Sequence, residues 1–139
     1  GGVLAGVCLF GGLRLVSPLA SARTVSLAAR AELEPGDALW TYGIYVQGLP
    51  FYAGRFVDRI VDFTGEFRYA KRFPDQAARF GDDGDVARLP RAGGRTLVVM
   101  RDGDFPHFAE TVRGGPASIA SRRRFGPWTL AVVRAARAR

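Results

Sequence analysis

The residues best suited to chemistry lie in one short stretch, and their types are suited to binding. Aromatic rings can stack on sugars, while an amide or a guanidinium can hydrogen-bond sugar hydroxyls or hold a phosphate in bidentate fashion. These residue types recur between positions 42 and 55. The candidate substrate-binding residues are Tyr42, Tyr45, Gln47, Tyr52 and Arg55. A purely structural alternative buries the aromatic rings and pairs Arg55 with Asp58 or Glu66.

Three carboxylates form a second group with chemical potential. Asp58, Asp62 and Glu66 recur at intervals of four residues, and paired carboxylates can act as general acid and general base. The alternating pattern of residues 55–63 predicts a strand, on one face of which Asp58 and Asp62 lie together. The favoured interpretation makes these carboxylates partners of neighbouring arginines, so no catalytic residue is assigned.

The spacing of the remaining reactive residues supports no metal, cofactor or nucleophile site. Cys8 and His107 are the single cysteine and the single histidine, which leaves no Cys/His metal spacing. His107 is interpreted as a surface residue at the start of a helix. The acidic run 82–85 lacks the ligand alternation of an EF-hand and is interpreted as a solvated loop. The sequence also lacks a glycine-rich phosphate loop and a nucleophile elbow.

The chain is basic, with a net charge of +7 that comes from 19 arginines and one lysine among 139 residues. A basic protein can bind nucleic acid, anionic lipid or an anionic substrate. The arginines are dispersed, and no known nucleic-acid-binding motif accompanies them. We therefore predict no nucleic-acid partner, although a small basic nucleic-acid-binding domain stays a remote alternative. The one arginine run, 122–124, predicts a solvated hairpin edge, with attraction to anionic lipid as the second interpretation.

The N-terminal stretch is apolar, since residues 1–13 carry no charge. A membrane-spanning helix needs about 20 apolar residues, so residues 1–16 are interpreted as the end of a transmembrane helix in a fragment of a longer protein. A signal peptide with a cleavage site at Ala20-Ser21-Ala22 is one alternative. A buried core helix is the other, although its glycines would make it a poor helix in solution.

The body of the chain alternates short helices with short apolar strands. Residues 18–34 predict an amphipathic helix with Val25 and Ala29 on its apolar side and Ser26 on its polar side. Residues 45–52 are ambiguous, because Gly48 and Pro50 would break a helix. The other predicted elements are strands at 38–42, 55–63 and 95–101, helices at 73–80 and 104–113, and a terminal hairpin at 117–125 and 128–133.

This order of elements predicts an α/β fold, a small sandwich of short helices around one mixed sheet, preceded by the end of a transmembrane helix. The predicted domain organisation has three parts. Residues 1–16 end the transmembrane helix, residues 17–34 form a connecting amphipathic helix, and residues 35–139 form a soluble extracytoplasmic α/β domain. The sequence gives no indication of the oligomeric state.

A tyrosine- and glycine-rich segment that ends Leu49-Pro50-Phe51-Tyr52-Ala53-Gly54-Arg55 follows the turn Pro35-Gly36-Asp37. This arrangement resembles the extracytoplasmic C-terminal region of bacterial polytopic glycosyltransferases of family 39. These enzymes are relatives of protein O-mannosyltransferases and of the lipid A aminoarabinose transferase. In that family a "YG…LPFYLGR" block follows a "PGD" turn just after the last membrane helix. The resemblance covers about residues 35–66.

The resemblance implies a parent enzyme in the bacterial cell membrane that moves a sugar from a polyprenyl-phosphate-linked donor to a lipid, glycan or protein acceptor. The soluble part would lie on the extracytoplasmic side, with the N-terminal segment in the membrane. The family's acidic catalytic residues lie in an early extracytoplasmic loop that has no counterpart here, so this fragment alone is expected to be accessory and inactive. The alternative is a secreted or membrane-anchored module that binds glycan or anionic lipid without chemistry.

Overall fold

A six-stranded mixed sheet forms the centre of the protein in the computed structural model, which describes residues 22–63, 65–89 and 94–136. The strands lie in the order β3-β2-β1-β4-β6-β5. Neighbours among β1 to β4 run parallel, whereas β6 runs antiparallel to both β4 and β5. The strands are β1 (Ala38–Tyr42), β2 (Arg59–Val61), β3 (Phe80–Gly81), β4 (Thr96–Arg101), β5 (Ala117–Phe125) and β6 (Trp128–Ala135).

Short helices cover both faces of this sheet. The α-helices are α1 (Arg23–Glu32), α2 (Leu49–Ala53), α3 (Pro74–Ala77), α4 (Asp83–Ala87) and α5 (Phe105–Arg113), with 3-10 turns at Glu66–Arg72 and Asp102–Asp104. Side chains of α1 and α2 pack with one face of the central strands. Side chains of α4 and α5 pack with the other face. The structure is therefore an α/β sandwich with one mixed sheet, which confirms the predicted fold class.

The central strands explain why the sequence folds in this way. In β4 every residue from Leu97 to Met100 is fully buried, as expected for a strand covered on both faces. Leu97 and Val99 face α1 and α2, whereas Val98 and Met100 face α4 and α5. The uninterrupted apolar run therefore supplies both layers of the core at once.

The terminal hairpin agrees with its prediction. Strands β5 and β6 are joined at Gly126, which has a φ of 60°. The arginine run 122–124 lies exposed on the outer strand β5. Arg122 and Arg124 both contact the Asp102 carboxylate, at 2.7 and 3.0 Å.

Two predicted elements are shorter in the structure, and a third is different. The predicted strand 55–63 pairs only over β2, because Gly54 ends α2 in the left-handed region and residues 55–58 form a connection. The predicted helix 73–80 is reduced to α3 and is followed by β3. The interpretation of the acidic run 82–85 as a loop is wrong. The run begins α4, where Asp82 caps the helix and Asp85 completes a capping box.

The first helix also departs from its predicted pattern. The sequence places Ser26 on the polar side, but the residue is fully buried, and its hydroxyl donates a hydrogen bond to the Ala22 carbonyl at 2.6 Å. A local hydrogen bond of this kind satisfies the hydroxyl, so the residue can face the core. Val25 and Ala29 are fully buried, as predicted.

The predicted end of a transmembrane helix at residues 1–16 lies outside the described residues. Among the residues that are described, no helix has the length and apolar character needed to cross a membrane.

Candidate functional site

The predicted binding block begins where the central strand β1 ends. The chain turns at Gly43, which has a φ of 69° and donates its N–H to the Val61 carbonyl. It then enters α2, which carries Pro50 in its first turn and ends at Gly54 with a φ of 72°. Proline at the start and a left-handed glycine at the end are favourable helix boundaries. The ambiguous segment 45–52 is therefore a loop followed by a short helix.

Tyr42 lies apart from the other four candidate residues. Its ring is 2% exposed and packs edge-on against Phe108, with ring centroids 5.2 Å apart. Its hydroxyl donates a hydrogen bond to Asp83 Oδ1 at 2.7 Å. Burial, the hydrogen bond to Asp83 and the nearby carboxylates raise the pKa of Tyr42 well above its ordinary value. The residue points into the core layer beneath α5, on the opposite side of the sheet from α2.

Tyr45, Gln47 and Tyr52 lie on the α2 side of the sheet. Tyr45 is half-buried and packs against the core cluster that contains Leu49. Gln47 is exposed. Tyr52 is half-buried, and the Arg23 guanidinium lies 5.8 Å from the centre of its ring. Of these three residues, Gln47 has the most accessible polar side chain.

Arg55 lies beyond α2, near the start of β1, and is held in place by two contacts. One terminal nitrogen donates to the Asp37 carbonyl at 2.9 Å, and the other donates to Asp58 Oδ2 at 2.8 Å. The structure thus contains the Asp58 contact that the structural alternative requires. A guanidinium has five N–H donors, and the Arg55 side chain is 36% exposed. Donors therefore remain for a phosphate after both observed contacts are made.

The carboxylate series does not form the predicted pair. The sequence pattern places Asp58 and Asp62 on one strand face, but neither belongs to β2, which spans only Arg59–Val61. Asp58 Oδ2 also accepts the Leu39 N–H at 2.7 Å, so this carboxylate joins the loop to β1. Asp62 lies in the left-handed region with a φ of 50°. The predicted placement on one strand face is therefore wrong, whereas Asp58 is a partner of Arg55, as the favoured interpretation has it.

The structure brings together a second group of polar residues that the sequence did not join. Asp83 Oδ2 lies 2.9 Å from Nε2 of His107, while Asp83 Oδ1 accepts the Tyr42 hydroxyl. Tyr42 ends β1, Asp83 starts α4 just after β3, and His107 lies in the first turn of α5. Ligand sites in open parallel sheets occur at the carboxyl ends of the strands. These residues are distant in the chain, and only the order of the strands in the sheet places them together.

The pKa values of this group follow from its contacts. Burial raises the pKa of Asp83, but the hydrogen bonds from His107 and Tyr42 and the positive charge of His107 outweigh burial and leave it below its ordinary value. The Asp83 hydrogen bond and its negative charge raise the pKa of His107. His107 is 62% exposed, as expected for a surface residue at a helix start. An aspartate that orients an exposed histidine can share or relay a proton.

Within the described ranges, no three His, Cys, Asp or Glu side chains are grouped so that they could hold a metal ion.

Comparison with known proteins shows a similarity of fold. No protein-family model matches the chain, and no curated protein matches its sequence. Two solved structures of ArnT from Cupriavidus metallidurans share its fold over 87% of the chain. The structure bound to undecaprenyl phosphate is 19% identical with a TM-score of 0.65, and the apo structure is 18% identical with a TM-score of 0.66. In both cases the match covers 21% of the ArnT chain, so this protein spans about a fifth of that length.

Proposed function

We propose that this protein is the soluble extracytoplasmic part of a bacterial membrane glycosyltransferase, the parent enzyme, which moves a sugar from a polyprenyl-phosphate-linked donor to a lipid, glycan or protein acceptor. The observation that carries the proposal is the common fold with ArnT, which has been solved with undecaprenyl phosphate. The Pro-Gly-Asp turn and the LPFYAGR segment, both found in the sequence, support the same assignment.

The proposed placement in the parent enzyme follows the chain. Residues 1–16 end a transmembrane helix, residues 17–34 connect it to the sheet, and residues 35–139 form the extracytoplasmic domain. The buried side chains of α1 support a rigid connection, because Val25 and Ala29 pack directly on the sheet. A helix fixed in this way would hold the domain at a set orientation to the membrane.

The proposed role of the domain is to position the donor. Glycosyl transfer at a membrane requires the lipid-linked donor and the acceptor to meet in a defined geometry, and positioning contributes much of the rate. Arg55 offers free N–H donors for the phosphate, and Gln47 offers an exposed amide for sugar hydroxyls. Tyr45 and Tyr52, both half-buried, are the aromatic residues of the same segment. Tyr42 has a supporting role in this proposal, since its hydroxyl is engaged by Asp83.

The test measures undecaprenyl phosphate binding to the full-length parent enzyme in membranes. Gln47→Ala removes the amide, and Arg55→Lys keeps the charge but removes the planar fork that a phosphate recognises. Each variant should weaken binding by about threefold to tenfold, the effect of one lost hydrogen bond. Ser121→Ala, on the exposed outer strand at the far edge of the sheet, is the matched control and should bind normally.

The same experiment can reject the proposal. Protein abundance and melting temperature are recorded for each variant, because Arg55 also contacts Asp37 and Asp58. If Gln47→Ala and Arg55→Lys both bind like Ser121→Ala, the block is a scaffold. The same conclusion holds if binding falls only in proportion to lost folding.

A further inference from the structure

Four aromatic side chains are exposed to solvent near the β2–β3 edge of the sheet. Phe51 is 81% exposed, Phe56 75%, Tyr69 70% and Phe73 58%. Phe56 lines a hollow there together with Pro50, Ala70 and Gln76. Phe51 follows Pro50, Tyr69 precedes Ala70, and Phe73 accepts the Gln76 N–H at its carbonyl. Clustered exposed apolar groups of this kind mark interaction surfaces.

The segment between β2 and β3 contributes most of this surface and little to the core. No residue of α3 is buried, and Ala70 and Gln76 are only half-buried. Tyr69 and Phe73 of this segment are therefore exposed, whereas Phe63, just after β2, packs against the core. Exposed phenylalanine side chains are unfavourable in water. A partner that covers them would remove their apolar surface from water.

Basic side chains accompany the aromatic rings. The Arg72 guanidinium lies 5.0 Å from the centre of the Tyr69 ring, the Lys71 ammonium lies 5.6 Å from that of Phe80, and the Arg79 guanidinium lies 5.9 Å from that of Phe56. All three cations are exposed. Between residues 69 and 80 the only carboxylate is Asp75. The surface is therefore positive, and its cations are held against rings.

We propose that this aromatic–basic surface, formed by Phe51, Phe56, Tyr69, Phe73, Lys71 and Arg72, contacts the headgroup layer of an anionic lipid bilayer. Aromatic side chains are favoured at the boundary between hydrocarbon and water. Each Lys or Arg close to an anionic bilayer adds further attraction. This combination of aromatic and basic side chains fits the surface of an anionic bilayer, where negatively charged headgroups lie above the hydrocarbon. The inference does not depend on donor recognition by Gln47 or Arg55, although Tyr45 of the proposed donor site lines the same hollow.

The first measurement uses the full chain with tryptophan introduced at two opposite edges of the sheet. Phe73→Trp labels the proposed surface, while Ser121→Trp labels the outer strand β5 at the other edge. Both variants carry the same residues 1–16, so any attachment through that segment is common to them. The native Trp40 and Trp128 are buried and give a shared background. Vesicles contain phosphatidylcholine with about one third phosphatidylglycerol, and brominated lipid serves as the quencher.

The second measurement reverses two charges at each edge and compares vesicle binding. Lys71→Glu/Arg72→Glu alters the proposed surface, and Arg123→Glu/Arg134→Glu, on the exposed part of the terminal hairpin, makes the same change in net charge elsewhere. The first double variant should bind anionic vesicles at least about tenfold more weakly than the second. Phe56→Ser should weaken binding as well.

The proposal expects anionic vesicles to quench the added fluorescence of Phe73→Trp, with little change for Ser121→Trp. Equal quenching of the two tryptophan variants, or equal binding by the two charge-reversed variants, would overturn it. Concentration-dependent dimerisation that Phe56→Ser abolishes would also overturn it, by assigning the surface to a second copy of the chain.

Discussion

The Arg95 guanidinium binds the Asp37 carboxylate through two hydrogen bonds, of 2.7 Å to Oδ2 and 3.3 Å to Oδ1. Asp37 precedes β1, and Arg95 precedes the neighbouring parallel strand β4. The same guanidinium donates to the Glu32 carbonyl at 2.8 Å, at the last residue of α1. Burial raises the pKa of Asp37, but the bonds from Arg95 and from the Glu34 N–H outweigh it and hold this pKa below its ordinary value. One side chain therefore joins a helix end to the beginnings of two central strands.

Removing Arg95 should destabilise the protein. Arg95→Ala leaves the Asp37 carboxylate, which is 7% exposed, without its guanidinium partner. The expected loss is about 2 kcal/mol in the free energy of unfolding, typical of a hydrogen bond to a charged group. Urea denaturation measures this change. Arg30→Ala, at an exposed position of α1, is the control and should change stability by less than about 0.5 kcal/mol. Equal losses in the two variants would show that the Asp37 contact contributes nothing.

The contribution of His107 should depend on pH. Its pKa is raised in the folded protein by Asp83, so protonation favours the folded state. This stabilisation is fully present below the unfolded pKa, about 6.5, and disappears as the pH rises through the folded value. The difference in melting temperature between the wild type and His107→Gln should therefore be larger at about pH 5.5 than at about pH 9.

A second variant ties that effect to its partner. In an Asp83→Asn background the main charge that raises the His107 pKa is absent, so the effect of His107→Gln should differ less between the two pH values. A His107→Gln effect that stays constant with pH in the wild-type background would contradict the assignment. An effect that grows towards high pH would contradict it as well.

Two adjacent glycines should respond differently to alanine. A Cβ at Gly115 would meet the backbone of Ala87, with its carbonyl carbon at 3.0 Å and its Cα at 3.4 Å. Backbone cannot move aside as a flexible side chain can, so Gly115→Ala should cost about 1–3 kcal/mol. A Cβ at Gly114 would lie 3.5 Å from the Thr111 carbonyl oxygen, an ordinary contact. Thermal or urea unfolding should place Gly114→Ala close to the wild type, and similar costs for both would refute the close approach.

The isolated chain should not transfer sugar. Asp58, a carboxylate of the candidate acid/base series, accepts hydrogen bonds at Oδ2 from the Leu39 N–H and from Arg55, which is a structural role. Incubation of the purified chain with a polyprenyl-phosphate-linked sugar and candidate acceptors should yield no product by mass spectrometry. Product formation that Asp62→Asn abolishes would revive the carboxylates as a catalytic site.

The fold was predictable where the sequence pattern is strong and local. Four consecutive apolar residues are enough to predict the buried strand β4. The glycine between β5 and β6 is enough to predict their turn. The limits of β2 were not predictable, because strand pairing ends where Asp58 binds the β1 backbone, a contact between segments that are distant in the chain. Ser26 can face the core because its hydroxyl bonds to the Ala22 carbonyl. The periodicity of apolar residues does not show this burial.

The candidate site was only partly predictable for a related reason. Side chains on a strand alternate between two faces, and composition does not reveal which face Tyr42 takes. The structure places its ring under α5, away from Gln47 and Arg55. The contact between Asp83 and His107 joins residues 24 positions apart. It exists because the parallel strands β3 and β4 end at the same edge of the sheet, which only the strand order shows.

The position of β1 has a consequence for synthesis of the protein. β1 lies between β2 and β4, yet it precedes both in the chain. During translation its buried residues Leu39 and Trp40 leave the ribosome before either pairing strand exists. Domains are completed in the order of synthesis, and unpaired apolar strands are prone to aggregate. The edge of β1 that pairs with β4 must therefore stay unpaired until β4 has emerged, whereas the β5–β6 hairpin can close as soon as it is made.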